Sequence, residues 1–140
     1  MEQRLIRYLN TDLDLEAAFD LSPLAEALAA RGLLVLHVRR WESGSWSARL
    51  ETAVPFTDPD ANLQALLSAV ETLEGPLRSQ WAACTVRAFD MGYDSGHEPR
   101  NFYRQLTPAT LGRMAALNAT LVITIYPPEP DESDNGNLST

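Results

Sequence analysis

Residues 33–52 read LLVLHVRRWESGSWSARLET, and this stretch decides the fold. Two strand-forming runs, 33–40 and 46–52, flank WESGS, whose Ser43-Gly44 supplies a residue that tolerates positive φ, so the segment reads as a β-hairpin. Pattern also argues its register. Pairing Leu36 with Leu50 and Val38 with Ala48 gathers Leu34, Leu36, Val38, Trp46, Ala48 and Leu50 on one face. A slip of one residue would set Arg39 against Ala48 inside the core. The opposite face then carries His37, Arg39, Ser47, Arg49 and Glu51.

Working outward, each neighbouring segment has its own boundary chemistry. Upstream, residues 3–9 are rich in strand formers, and Leu13 and Leu15 alternate with Asp12, Asp14 and Glu16, giving a strand with a ragged, acidic extension at the sheet edge. Ser22-Pro23 opens a helix over 23–31, with serine accepting free backbone amides and Gly32 as the stop. Downstream, Asp58-Pro59 opens the longest helix, with Leu63, Leu66, Leu67, Val70 and Leu73 on one stripe. Gly75-Pro76 breaks or kinks that helix, and Leu77 and Trp81 continue a short second piece. Residues 85–90 read as a strand, 91–105 as a long loop, and Thr107-Pro108 as another helix start. In this last helix Leu111, Met114 and Ala115 face inward and Asn118 takes the left-handed stop. Residues 121–126 form the last strand, with Leu121, Ile123 and Ile125 on the core side.

The segments LSPLAEALAARGLLVLHV and LTPATLGRMAALNATLVITI share a hydroxyl-proline start, a small-residue helix, a turn residue and a strand. A βαβ unit used twice and convergent capping both account for the likeness. The order β-α-β-β-α-β-α-β predicts a single α+β domain over 1–126, with a mixed sheet and helices mainly on one face. Residues 127–140, PPEPDESDNGNLST, read as a disordered, acidic, proline-rich tail.

The chain has 140 residues, enough for one sizeable core. Its formal charge is −8, and all 11 basic residues are arginine. That balance disfavours nucleic acid, whose binders need a positive field. The single cysteine, Cys84, cannot form an internal disulfide, and the start MEQRLIRYLN has no apolar run, so the expected compartment is the cytoplasm. No run approaches the length needed to cross a bilayer.

From the hairpin onward, residues 44–126 resemble a family of uncharacterised bacterial proteins, a domain of unknown function. The likeness rests on the G-x-W strand at Gly44-Ser45-Trp46, the leucine-rich helix, the L-[ST]-P-x-x-L-x-R-x-A-A run at 106–116 and the closing I-x-I-Y strand from Ile123 to Tyr126. The resemblance implies a shared fold and brings no activity, cofactor or site with it. Members of the family often carry an acidic residue where Thr124 stands.

The most site-like segment is DMGYDSGHEPRNFYRQ, which gathers Asp90, Tyr93, Asp94, His97, Glu98, Arg100 and Tyr103 on a long tethered loop. Asp94 and His97 have the chemistry of an acid/base pair or of metal ligands, in a spacing that matches no ligand pattern. Tyr93, Asp94, His97 and Arg100 are the candidate contact residues there. A second candidate is the polar hairpin face. His37, Arg39 and Arg49, with Arg87, Phe89, Thr124 and Tyr126 as neighbours, would make it locally basic and open to an acidic partner, an anionic ligand or a second copy. Asp12, Asp14 and Glu16 point to one side of an extended chain, as a divalent-cation site or as a solvated edge that discourages strand-to-strand aggregation; an EF-hand is excluded because Ala17 stands where glycine is required. Cys84, among Trp81, Ala82, Ala83 and Val86, reads as a buried apolar residue. No nucleophile elbow, phosphate loop or cofactor signature occurs. The leading expectation is a protein-binding or interaction module, of inhibitor or immunity type. The alternatives are a small enzyme or ligand-binding protein with its site at 90–104, and a homodimer.

Overall fold

Leu13, Leu15 and Ala17 alternate with Asp12, Asp14 and Glu16 along one unbroken strand, β1 (Arg7–Ala17), and the sheet is built around it. The computed structural model describes residues 4–128. The remaining elements are α1 (Ser22–Ala30), β2 (Leu33–Arg40), β3 (Trp46–Thr52), α2 (Pro59–Glu71), α3 (Gly75–Ala83), β4 (Val86–Asp94), α4 (Pro108–Ala116) and β5 (Thr120–Tyr126). The five strands lie in the order β2-β3-β1-β4-β5. β1 pairs antiparallel with both β3 and β4, and β5 closes the sheet parallel to β4. This is the expected α+β domain with a mixed sheet. The acidic strand, however, occupies its centre and not its edge, because Leu13 and Leu15 are needed under the helices. The tail expected from residue 127 lies, from Glu129 onward, outside the described residues, as does Gln3.

Helix boundaries follow the residues that satisfy the free backbone groups. Asp58 accepts from the Ala61 amide (3.1 Å) at the start of α2, and Thr107 accepts from the Thr110 amide (3.3 Å) at the start of α4. At α1 the acceptor is Asp20, which takes the Ser22 amide at 2.8 Å, and not Ser22 itself. Asn118 takes the left-handed conformation (φ 55°) past α4, as the sequence implied. α4 turns Thr110, Met114 and Leu117 inward, and Leu111 and Ala115 are exposed. The inward choice of Thr110 follows from its place in the Thr107–Asp60 hydrogen-bond cluster.

The core lies between the helices and one face of the sheet, where Leu13, Leu15, Leu50 and Phe89 meet Leu24 and Leu28 of α1, Leu63, Leu66, Leu67 and Val70 of α2, and Trp81 of α3. Trp81 is buried with its indole N–H donated to the Leu117 carbonyl at 3.1 Å, so its one polar atom is satisfied. A polar knot ties α2 to the sheet. An extra residue in β1 at Leu9 shifts the pairing with β4. The Thr11 amide is donated to Asn62 Oδ1 (3.0 Å), Tyr8 Oη donates to the same oxygen (2.6 Å), and Asn62 Nδ2 donates to Thr52 Oγ1 (3.1 Å).

The hairpin register holds at its turn end and changes beyond it. Val38 faces Ala48 as expected, but Leu50 faces Val35, and Leu36 is the extra residue of a β-bulge. Leu33, Val35 and Val38 therefore point inward, while Leu34 and Leu36 are 48% and 44% exposed. The run LLVLHV is apolar in both phases, so alternation alone could not choose between them. No helix is long and apolar enough to cross a membrane among the described residues.

Candidate functional site

The sheet face opposite the helices takes its chemistry from β1 as much as from the hairpin. His37 pairs with Arg49, Arg39 with Ser47, Arg49 with Asp14, and Asp12 with Asp90, so these side chains share one face. Arg49 Nε donates to Asp14 Oδ1 at 2.7 Å, Nη2 donates to Oδ2 at 3.3 Å, and Nη1 lies 3.9 Å from Asp12. Asn10 Nδ2 donates to Asp12 (3.0 Å) and to Glu51 (2.9 Å), and Thr124 Oγ1 donates to Asp90 (2.7 Å). Arg39 stands over the Trp41 ring at 5.9 Å. The face expected to be basic is thus a lattice in which the carboxylates of β1 occupy Arg49. Of the other expected neighbours, Thr124 and Tyr126 lie here, whereas Phe89 is in the core and Arg87 turns toward the helices.

Burial shapes the ionisation of this lattice. Asp12 is pushed up to about 6, first by burial and then by Asp14 and Glu51, against the pull of Arg49 and Asn10. His37 is pushed below its ordinary value, first by burial and then by Arg39 and Arg49. Its Nδ1 is buried with no hydrogen-bond partner. No group of three or more His, Cys, Asp or Glu side chains is placed to hold a metal ion among the described residues.

The loop candidates divide. β4 runs on through Met91 and Gly92 to Asp94, so Tyr93 and Asp94 belong to a strand and point to opposite faces. Tyr93 turns to the helix side and packs on Tyr8 (centroids 5.5 Å apart) and Phe102 (6.0 Å), with Arg104 over Phe102 at 4.3 Å. Asp94 accepts from Arg7 Nε at 2.9 Å. His97 and Arg100 are exposed, and no side-chain hydrogen bond or ion pair joins them to Asp94. The loop is instead fastened through its backbone. The His97 amide donates to Arg4 O (2.9 Å) and the Ile6 amide to Glu98 O (2.7 Å). A shallow cavity of about 120 Å³ beside α3 is lined by Arg78, Trp81, Arg87 and Asn118. Arg87 spends its guanidinium there on the carbonyls of Ala82, Cys84 and Asn118, which end α3 and α4.

Ile123 and Ile125 lie on the expected side of β5 but are not buried there. They pair with Met91 and Tyr93 on the helix side of β5, yet they are 59% and 65% exposed. α4 spans nine residues, and of the helix-side residues of β5 only Leu121 packs against the core. β5 is also an edge strand. Its sequence, TLVITIY, contains no charge and no proline, and its pairing with β4 runs without a bulge. Such an edge is the feature that proteins ordinarily blunt. The signal available in the sequence was that both phases of 120–126 are uncharged.

No protein-family model, curated protein or solved structure matches this chain.

Proposed function

We propose that this protein is a protein-binding module of the cytoplasm whose contact surface is the β5 edge. The observation that supports this reading is the combination of free ladder groups and exposed apolar side chains on one uncharged strand, at Ile123 and Ile125. A partner strand laid along β5 would gain main-chain hydrogen bonds for affinity and would cover two isoleucines for specificity. The other edge, β2, is less suited, since it is bulged at Leu36 and ends in the exposed pair Arg39-Arg40. The lattice of ion pairs on the open face and the backbone-fastened loop at 95–106 supply no convergent catalytic groups, so an interaction role is favoured over an enzyme.

Photo-cross-linking in cells tests the reading. A benzoylphenylalanine at position 123 or 125 should give protein adducts, whereas the same group at exposed Glu26 of α1 should give none. Equal labelling at the three positions, or no adduct at 123 and 125, would refute it.

A further inference from the structure

Resting on that reading, we infer that the occupant of the edge is a second copy of this chain, joined antiparallel through β5 with Ile123 on the two-fold axis.

The backbone fixes which groups are free. The Ser95 amide donates to Tyr126 O (2.9 Å), continuing the parallel ladder from the Asp94–Tyr126 pair. In a strand successive residues turn their N–H and C=O groups to alternate sides. Thr120, Val122, Thr124 and Tyr126 therefore bond to β4, and Leu121, Ile123 and Ile125 direct theirs outward. An antiparallel copy centred on Ile123 sets Leu121 opposite Ile125 of the other chain, Ile123 opposite Ile123, and Ile125 opposite Leu121. Each is a hydrogen-bonded pair that exchanges both N–H···O bonds, so every outward group between Leu121 and Ile125 is used.

The same register matches side chains. On the helix side each apolar residue meets another, as Leu–Ile, Ile–Ile and Ile–Leu pairs, which covers the two exposed isoleucines. On the opposite side Val122 meets Thr124 and Thr120 meets Tyr126. An arbitrary partner has no need of this reversal symmetry, but a two-fold contact requires it.

Charge points the same way. A chain of net charge −8 repels its copy over most of its surface, and its open face carries Asp12, Asp14, Glu16 and Glu51, but β5 has no charge at all. Antiparallel pairing sets the two copies of Tyr126, after which the sequence turns acidic, about 20 Å apart, whereas parallel pairing would set them side by side. The contact is small, so it belongs to the weak, concentration-dependent class.

Sedimentation of the full chain from about 10 μM to about 1 mM, a range suited to small interfaces, should show the mass rising from one chain toward two. Ile123→Arg should hold it at one chain across the range, with unchanged circular dichroism and melting temperature, because the side chain is already exposed. Ile123→Pro, which removes only an outward N–H, should do the same. In hydrogen exchange, the amides of Leu121, Ile123 and Ile125 should become protected as concentration rises, while those of Val122 and Thr124 stay protected throughout. A single-chain mass at all concentrations, a dimer unaffected by Ile123→Arg, or assemblies larger than two would overturn the inference. A monomer whose position 123 captures a different protein removes the second copy and keeps the interaction reading; a monomer with no adduct removes both.

Discussion

Replacing Asp12 by asparagine probes the open face where the fold strains it most. Asp12 lies in the central strand with its side chain 18% exposed, opposite Asp90, and its carboxyl is pushed from 3.8 to about 6, burial being the largest cause. Between about pH 4 and pH 6 the native state holds a proton that the unfolded chain has released. Unfolding free energy therefore falls as pH rises through that window and levels off above it. A shift of about two units corresponds to about 3 kcal/mol, and partial exposure brings the expected effect nearer 2 kcal/mol. Asparagine keeps an acceptor for the Asn10 amide, carries no titrating proton, and leaves the Arg49–Asp14 pair intact. Urea unfolding of both proteins at pH 4, 5, 6, 7 and 8 should thus give stabilities that nearly coincide at pH 4. By pH 7 the variant should be more stable by about 2 kcal/mol. A difference that does not change with pH would refute the reasoning, as would a variant less stable than the parent at pH 7.

Three further perturbations address the fold around the candidate edge and loop. Asn62→Ala strands the buried Thr11 amide, while the Tyr8 hydroxyl keeps Thr11 Oγ1 as a partner, and should cost about 1–3 kcal/mol in urea unfolding; a loss under 1 kcal/mol would show that water replaces the side chain. Gly96→Ala would put a Cβ 2.6 Å from Arg4 O and 2.8 Å from the Leu5 carbonyl carbon. It should cost about 1–3 kcal/mol and speed hydrogen exchange at the Ile6 and His97 amides, with unchanged exchange counting against the close approach. Burial pushes the Cys84 thiol up to about 11, so a thiol reagent at pH 8 should leave the native protein unmodified and react fully in urea. Rapid native labelling would contradict its burial.

Much of this fold is written locally. Asp58-Pro59, Thr107-Pro108, Gly32 and Asn118 state where helices begin and end, because each satisfies or releases particular backbone groups at that point. The break at Gly75-Pro76 is legible for the same reason. What local pattern leaves open is the phase of strands that are apolar on both sides. LLVLHV could face inward through Leu34 and Leu36 or through Leu33 and Val35. The inward demands of Val35 and Val38, three residues apart, are reconciled only by a bulge that depends on β3. Strand order is equally non-local. Read alone, Asp12, Asp14 and Glu16 suggest a solvated edge. Paired with Arg49 on one side and Asp90 on the other, they form the middle of an open face.

The two edges of the sheet carry unequal protection, and that inequality links the fold to its proposed use. An open five-stranded sheet must end twice, and each end leaves unpaired N–H and C=O groups that invite another strand. At β2 the invitation is spoiled by a bulge and by Arg39-Arg40. At β5 seven uncharged residues run unbulged, with Ile123 and Ile125 uncovered because α4 is short. Random aggregation is the usual cost of such a strand, but here the rest of the surface argues against it. Net charge opposes stacking of the open faces, and the spoiled β2 edge denies the head-to-tail β2–β5 contact that would propagate a filament. A pairing of β5 with β5 uses up both free edges at once and leaves nothing to propagate. In the proposed dimer that closure leaves no bare β5 edge from which a fibre could grow.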